Sequence, residues 1–142
     1  MLRKSPMFRY AAAALLLVSC SRKPPDATPE GALRQWLELM EESVESPSSR
    51  KAAYALLGPK ARSNLKERAT RTSVVIGRRI EPYEALAQGW FSLRFRHRTM
   101  RAELVGDTAN VFVEGYGDGE HATVTCVREL GHWRVEPVLP EL

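Results

Sequence analysis

Cysteine is almost absent. Cys20 and Cys126 are the only two in 142 residues, so no framework of disulfides can hold this chain together. Acid is missing from the first 25 residues, where basic side chains stand unopposed until Asp26. A long apolar run is missing too: Ala11–Val18 has eight residues, and crossing a bilayer takes about 20. Extending the run back to Met7 leaves it short and interrupted by Arg9, so a membrane-spanning helix is excluded there. Histidine occurs three times, at His97, His121 and His132, never as a pair four residues apart on a helix, which argues against a metal site.

What the start does contain is a leader pattern. Arg3, Lys4 and Arg9 precede Ala11–Val18, and Leu17-Val18-Ser19-Cys20 closes it with small residues and a thiol. An ordinary secretory signal would favour Ala-x-Ala ahead of the cut. Leu three positions before a cysteine instead resembles the lipobox of bacterial lipoproteins, which implies cleavage before Cys20 and a thioether-linked lipid on its sulfur. Each buried methylene contributes about 0.8 kcal/mol, so two or three acyl chains anchor stably where one does not. Ser21, rather than Asp, follows the cysteine, and by the same resemblance this favours the outer membrane.

Residues 1–19 are thus expected to be a signal peptide, 20–27 a lipidated cysteine with a flexible tether, and 28–142 one domain. Three of the 21 basic residues and none of the 17 acids precede Cys20, leaving 18 against 17. That near balance removes overall basicity as an argument for nucleic acid. With Cys20 carrying lipid, Cys126 has no partner. Its place in the alternating run Ala122, Val124, Cys126 fits a buried, unreactive core thiol.

The tether Ser21–Ala27 is polar and holds two prolines. Thr28 then reads as a helix N-cap, with Pro29 in the first helical position and Glu30 in the first turn. Leu33, Trp36, Leu37, Met40 and Val44 form one apolar stripe, and Glu38, Glu41, Glu42 and Glu45 lie on a solvated outer surface. Pro47 is expected to break the chain between helices. A short second helix, Lys51–Leu57, should end at a Gly58 C-cap, and Pro59 should open a third with Ala61, Leu65 and Ala69 inward.

From Trp90 the period becomes two. Phe91, Leu93, Phe95 and His97 alternate with Ser92, Arg94, Arg96 and Arg98, while Met100, Ala102 and Leu104 take the other parity, which predicts a bulge between His97 and Met100. Turns at Gly106-Asp107, Gly117-Asp118-Gly119 and Leu130-Gly131 separate further short strands. Helices first and a strand meander after them predict an α+β fold, N-terminal helices packed on a curved antiparallel sheet. Gly115, Gly117 and Gly119 lack the following helix that a phosphate loop needs and read as hairpin glycines.

Thr28-Pro29-Glu30 opening a helix with Trp36-Leu37, then Leu56-Leu57-Gly58-Pro59, then a last strand on Trp133-Arg134-Val135, resemble small bacterial lipoproteins of the nuclear transport factor two-like superfamily. The resemblance spans Thr28 to Leu139. It implies a cone-like fold with an apolar pocket. The superfamily's enzymes place Asp, His or Tyr inside the cone, and none of those residues maps onto this chain.

The combined expectation is a membrane-anchored envelope domain that binds an envelope protein or a small apolar ligand, without a catalytic residue, cofactor, metal or nucleic-acid partner. The alternative is a small enzyme of isomerase or dehydratase type. One charge asymmetry survives removal of the leader: Lys60 to Arg101 holds eleven basic residues against Glu67, Glu81 and Glu84. Arg94, Arg96 and Arg98, with Arg101 beyond them, are candidates for contact with an anionic surface. Against that stands the ordinary role of such charges, solvated or paired on the surface.

Overall fold

Thr28 opens the first helix as its sequence predicts: its Oγ1 accepts a hydrogen bond from the Gly31 amide at 3.1 Å, and Pro29 needs no partner for an N–H it lacks. The computed structural model describes residues 22–86 and 93–140. Helix α1 is Pro29–Glu42 and buries Ala32, Leu33, Trp36 and Met40. Its stripe stops at Met40. Val44 lies beyond the last turn and is exposed, correcting its place in the expected core.

Helix α2 is Pro47–Ala55. Pro47 starts it instead of breaking the chain, because the first helical position has no intrahelical acceptor to lose and Ser46 Oγ caps the Ser49 amide at 3.2 Å. Helix α3 is Pro59–Ile76, with Ala61, Leu65 and Ala69 buried as expected. Gly58 is not the left-handed C-cap of α2. It is the extended N-cap of α3, at φ −76°.

Four antiparallel strands follow, β1 Thr99–Val105, β2 Thr108–Glu114, β3 His121–Glu129 and β4 His132–Glu136, in the order β1-β2-β3-β4. The fold is α+β, three helices packed against this sheet. Val111, Val113, Val124, Cys126, Trp133 and Val135 share one buried cluster with Leu33, Trp36, Leu57 and Leu65. At one border of the sheet, Glu30 of α1 accepts from the Ala102 amide of β1 at 2.9 Å. At the other, the α2–α3 link bridges β4: the Gly58 amide donates to Val135 O and the Val135 amide to Leu56 O, both at 2.8 Å.

Two expectations about the first strand change. Residues 93–98 lie outside the sheet, although Leu93, Phe95 and His97 are half-buried and Arg94, Arg96 and Arg98 exposed, which preserves the alternation; residues 90–92 lie outside the described residues. The predicted parity slip is present. Thr99 is paired with Glu114, and the Arg98 amide donates to the same Glu114 carbonyl at 2.7 Å, so two residues face one. Leu104 has the inward parity of Met100 and Ala102 yet is 56% exposed.

The tether ends earlier than its composition implies. Pro25–Ala27 forms a 3-10 turn, and Asp26 accepts from Arg134 Nη1 at 2.8 Å with His132 Nδ1 at 3.2 Å. Gly31 permits the packing, since a Cβ there would fall on the Pro25 carbonyl oxygen. Burial pushes the Asp26 carboxyl up, but the hydrogen bonds and positive charge of Arg134 and His132 outweigh it and hold it below its ordinary value. Asp26→Ala should therefore lower stability by about 1–2 kcal/mol at neutral pH. A carboxyl depressed on folding contributes fully above its unfolded value, and that contribution is lost as pH falls through the folded one. Thermal unfolding of wild type and variant should thus converge in acid; a difference that persists there would assign the effect to packing.

Candidate functional site

The α1 helix and the segment 93–97 enclose a groove of about 720 Å³. Leu37 and Met40 come from α1 because they border its buried stripe; Leu93 and Phe95 come from the opposite wall because the alternation before β1 turns them inward. These four are the apolar part of a lining that is otherwise polar. Glu38 and Glu41 stand exposed on the α1 side and Arg94 and Arg96 on the other, and Tyr116, exposed after β2, also lines the groove. His97 stands half-buried in the wall. Apolar shape provides affinity in such a groove and rim charges orient what enters.

The four candidate arginines differ in their surroundings. Arg94 and Arg96 line the groove and make no ion pair among the described residues. Arg98 lies 4.0 Å from Glu114, and Arg101 donates to Glu103 at 2.7 Å while its guanidinium sits 4.9 Å from the centre of the Phe112 ring. Much of the remaining basic run is paired as well: Arg71 with Glu67, Arg78 with Glu84 and Arg79 with Glu81 locally, and Arg62 with Glu129 across to β3. The expected candidate Cys20 falls outside the described residues.

No family model, curated protein or solved structure matches the chain. His121 is exposed at the start of β3, and His132 belongs to the Asp26 cluster, so the three histidines are dispersed. Cys126 is fully buried with Sγ 3.8 Å from the Pro29 carbonyl oxygen, and burial, reinforced by the Glu30 charge, pushes its thiol up to about 12. That keeps it protonated, and a thiol is a poor nucleophile. In the glycine-rich turn the Gly117 amide donates to Glu120 Oε2 at 2.8 Å, so a carboxylate of the chain itself occupies the place an anion would take.

Sequence reasoning missed Tyr116 and the groove role of Met40, which it read as core alone. Glu38 and Glu41 were visible as an exposed helix face, but nothing local indicates that Arg94 and Arg96 stand across from them.

Proposed function

We propose that this chain is a lipid-anchored bacterial envelope protein, held through Cys20 and resident in the outer membrane, whose domain binds a small apolar ligand without catalysing a reaction. The observation that carries the binding is the groove itself: about 720 Å³ lies within the roughly 300–1,000 Å³ of small-molecule sites, with Leu37, Met40, Leu93 and Phe95 as the apolar part of its lining. Glu38, Glu41, Arg94 and Arg96 stand exposed on the rim, where solvation leaves them free to orient a ligand's polar end. The leader pattern supports the anchor, and the helices-then-meander order supports retaining the resemblance to the nuclear transport factor two-like superfamily.

A fluorescent fatty acid is a direct probe of this groove. The wild-type domain should bind it saturably, and Phe95→Asp or Leu37→Asp should each weaken binding about tenfold or more, equivalent to about 1.4 kcal/mol. Both positions are only partly buried, so unchanged melting temperatures would show that the fold survives. Equal binding by both variants would exclude the groove. Cys20→Ala should leave probe binding intact, separating anchor from site.

A further inference from the structure

The groove between α1 and the segment 93–97 is lined by charge of both signs, and the two signs stand on different elements. Glu38 and Glu41 are three residues apart on α1 and so are neighbours on its surface. Arg94 and Arg96 are exposed at alternate positions between the half-buried Leu93, Phe95 and His97, and so share one side of their segment. Among the described residues, none of these four charged side chains makes an ion pair or a side-chain hydrogen bond. Arg62, Arg71, Arg78, Arg79, Arg98 and Arg101 each lie within 4.0 Å of a carboxylate. The arginines of the groove are thus left open where most arginines of the same run are paired.

Both sides are held in place by packing. Leu33, Trp36 and Met40 fix α1 in the core. Opposite, the Phe95 ring lies so close over Gly115 that a Cβ there would strike it. The carboxylates and the guanidinium groups therefore project from supported backbone, with the apolar side chains of the groove between the two elements.

Two carboxylates and two guanidinium groups balance, so net charge gives the groove no preference for a ligand of either sign. A head group of one sign is attracted to one side and repelled by the other. A head group that carries both signs is attracted to both, provided its cationic part lies toward α1 and its anionic part toward residues 94 and 96. The side chains suit these parts: a guanidinium forks onto phosphate oxygens with two N–H groups, and a carboxylate holds a cation without needing a fixed direction.

We propose that the ligand of this groove is a single-chain zwitterionic amphiphile, its acyl chain against Leu37, Met40, Leu93 and Phe95, its phosphate facing Arg94 and Arg96, and its ammonium group facing Glu38 and Glu41. This rests on the groove reading above and narrows it, from an apolar ligand to one whose head carries both charges. A single chain follows from the volume, about 720 Å³, which is that of one small-molecule site.

Three amphiphiles with one chain in common test the head group: lauroyl lysophosphatidylcholine carries both charges, lauroyl lysophosphatidate the anionic one alone and lauroylcholine the cationic one alone. Each is titrated calorimetrically, below its micelle concentration, into the unlipidated chain from Cys20 onward, which retains every described residue. The zwitterion should bind about fivefold or more tighter than either of the others. Arg94→Gln with Arg96→Gln should remove its advantage over lauroylcholine, and Glu38→Gln with Glu41→Gln its advantage over lysophosphatidate. All four positions are exposed, so melting temperatures should stay unchanged. Phe95→Asp should weaken all three ligands alike, because it acts on the chain and not on the head. If the three bind equally to wild type, or if both charge variants keep the wild-type order, while Phe95→Asp still weakens them, the zwitterionic head is wrong and the groove stands. If none of the three binds, or if Phe95→Asp changes nothing, the groove reading falls and this proposal with it.

Discussion

Cys20→Ala should abolish incorporation of labelled palmitate when the chain is expressed in a bacterium that lipidates its own envelope proteins. The wild-type chain should be labelled and sediment with membranes even at high salt. Thioether attachment needs a sulfur, and the methyl group of an alanine offers none. The other thiol does not compensate, because Cys126 is fully buried and its thiol is pushed up to about 12, leaving almost no thiolate near neutrality. Cys126→Ser should accordingly remain labelled. Two or three acyl chains hold a protein to a bilayer, whereas the run Ala11–Val18 alone is too short to span one. The Cys20→Ala chain should therefore appear as unprocessed precursor or unlabelled product, and labelling equal to wild type would overturn the anchor.

The parts of the fold that could be read from sequence are those decided within one element. Thr28-Pro29 specifies a helix start through groups three residues apart, Ala61, Leu65 and Ala69 follow helical spacing, and turns at Gly106 and Leu130-Gly131 delimit hairpins. Much of what was misread depends on residues far apart. Asp26 looks like part of a polar tether until Arg134, 108 residues later, is placed against it. Leu104 has the parity of a core residue and stays exposed at the end of β1. The net charge of Lys60 to Arg101 is real, but ion pairing divides it, and the two arginines facing the groove are distinguished only by where the chain before β1 turns. The groove was least legible of all, since its two walls come from segments more than fifty residues apart.

Gly58→Ala should cost far more than a surface methyl ordinarily does. Gly58 connects α2 to α3 while its amide donates to Val135 O at 2.8 Å, completing the edge of β4. The first amides of α3 have no carbonyl partner within their helix. Glu136, at the end of β4, supplies one: its Oε1 accepts from the Lys60 amide at 2.9 Å and its Oε2 from the Ala61 amide at 3.1 Å. To reach them the glutamate side chain passes directly over Gly58, and a Cβ at that position would fall on its carboxylate and Cγ. The backbone there is extended, at φ −76°, so alanine meets no conformational penalty and the whole effect comes from displacing Glu136. Losing two hydrogen bonds to a charged acceptor, along with its interaction with the helix dipole, should cost about 2–4 kcal/mol, a fall of many degrees in Tm. The same contact governs the double variant. Once Glu136→Ala has removed the cap and cleared the space, adding Gly58→Ala should cost little more, so the two changes should be strongly non-additive in urea unfolding; additive losses would show that Gly58 is constrained by something other than the glutamate above it.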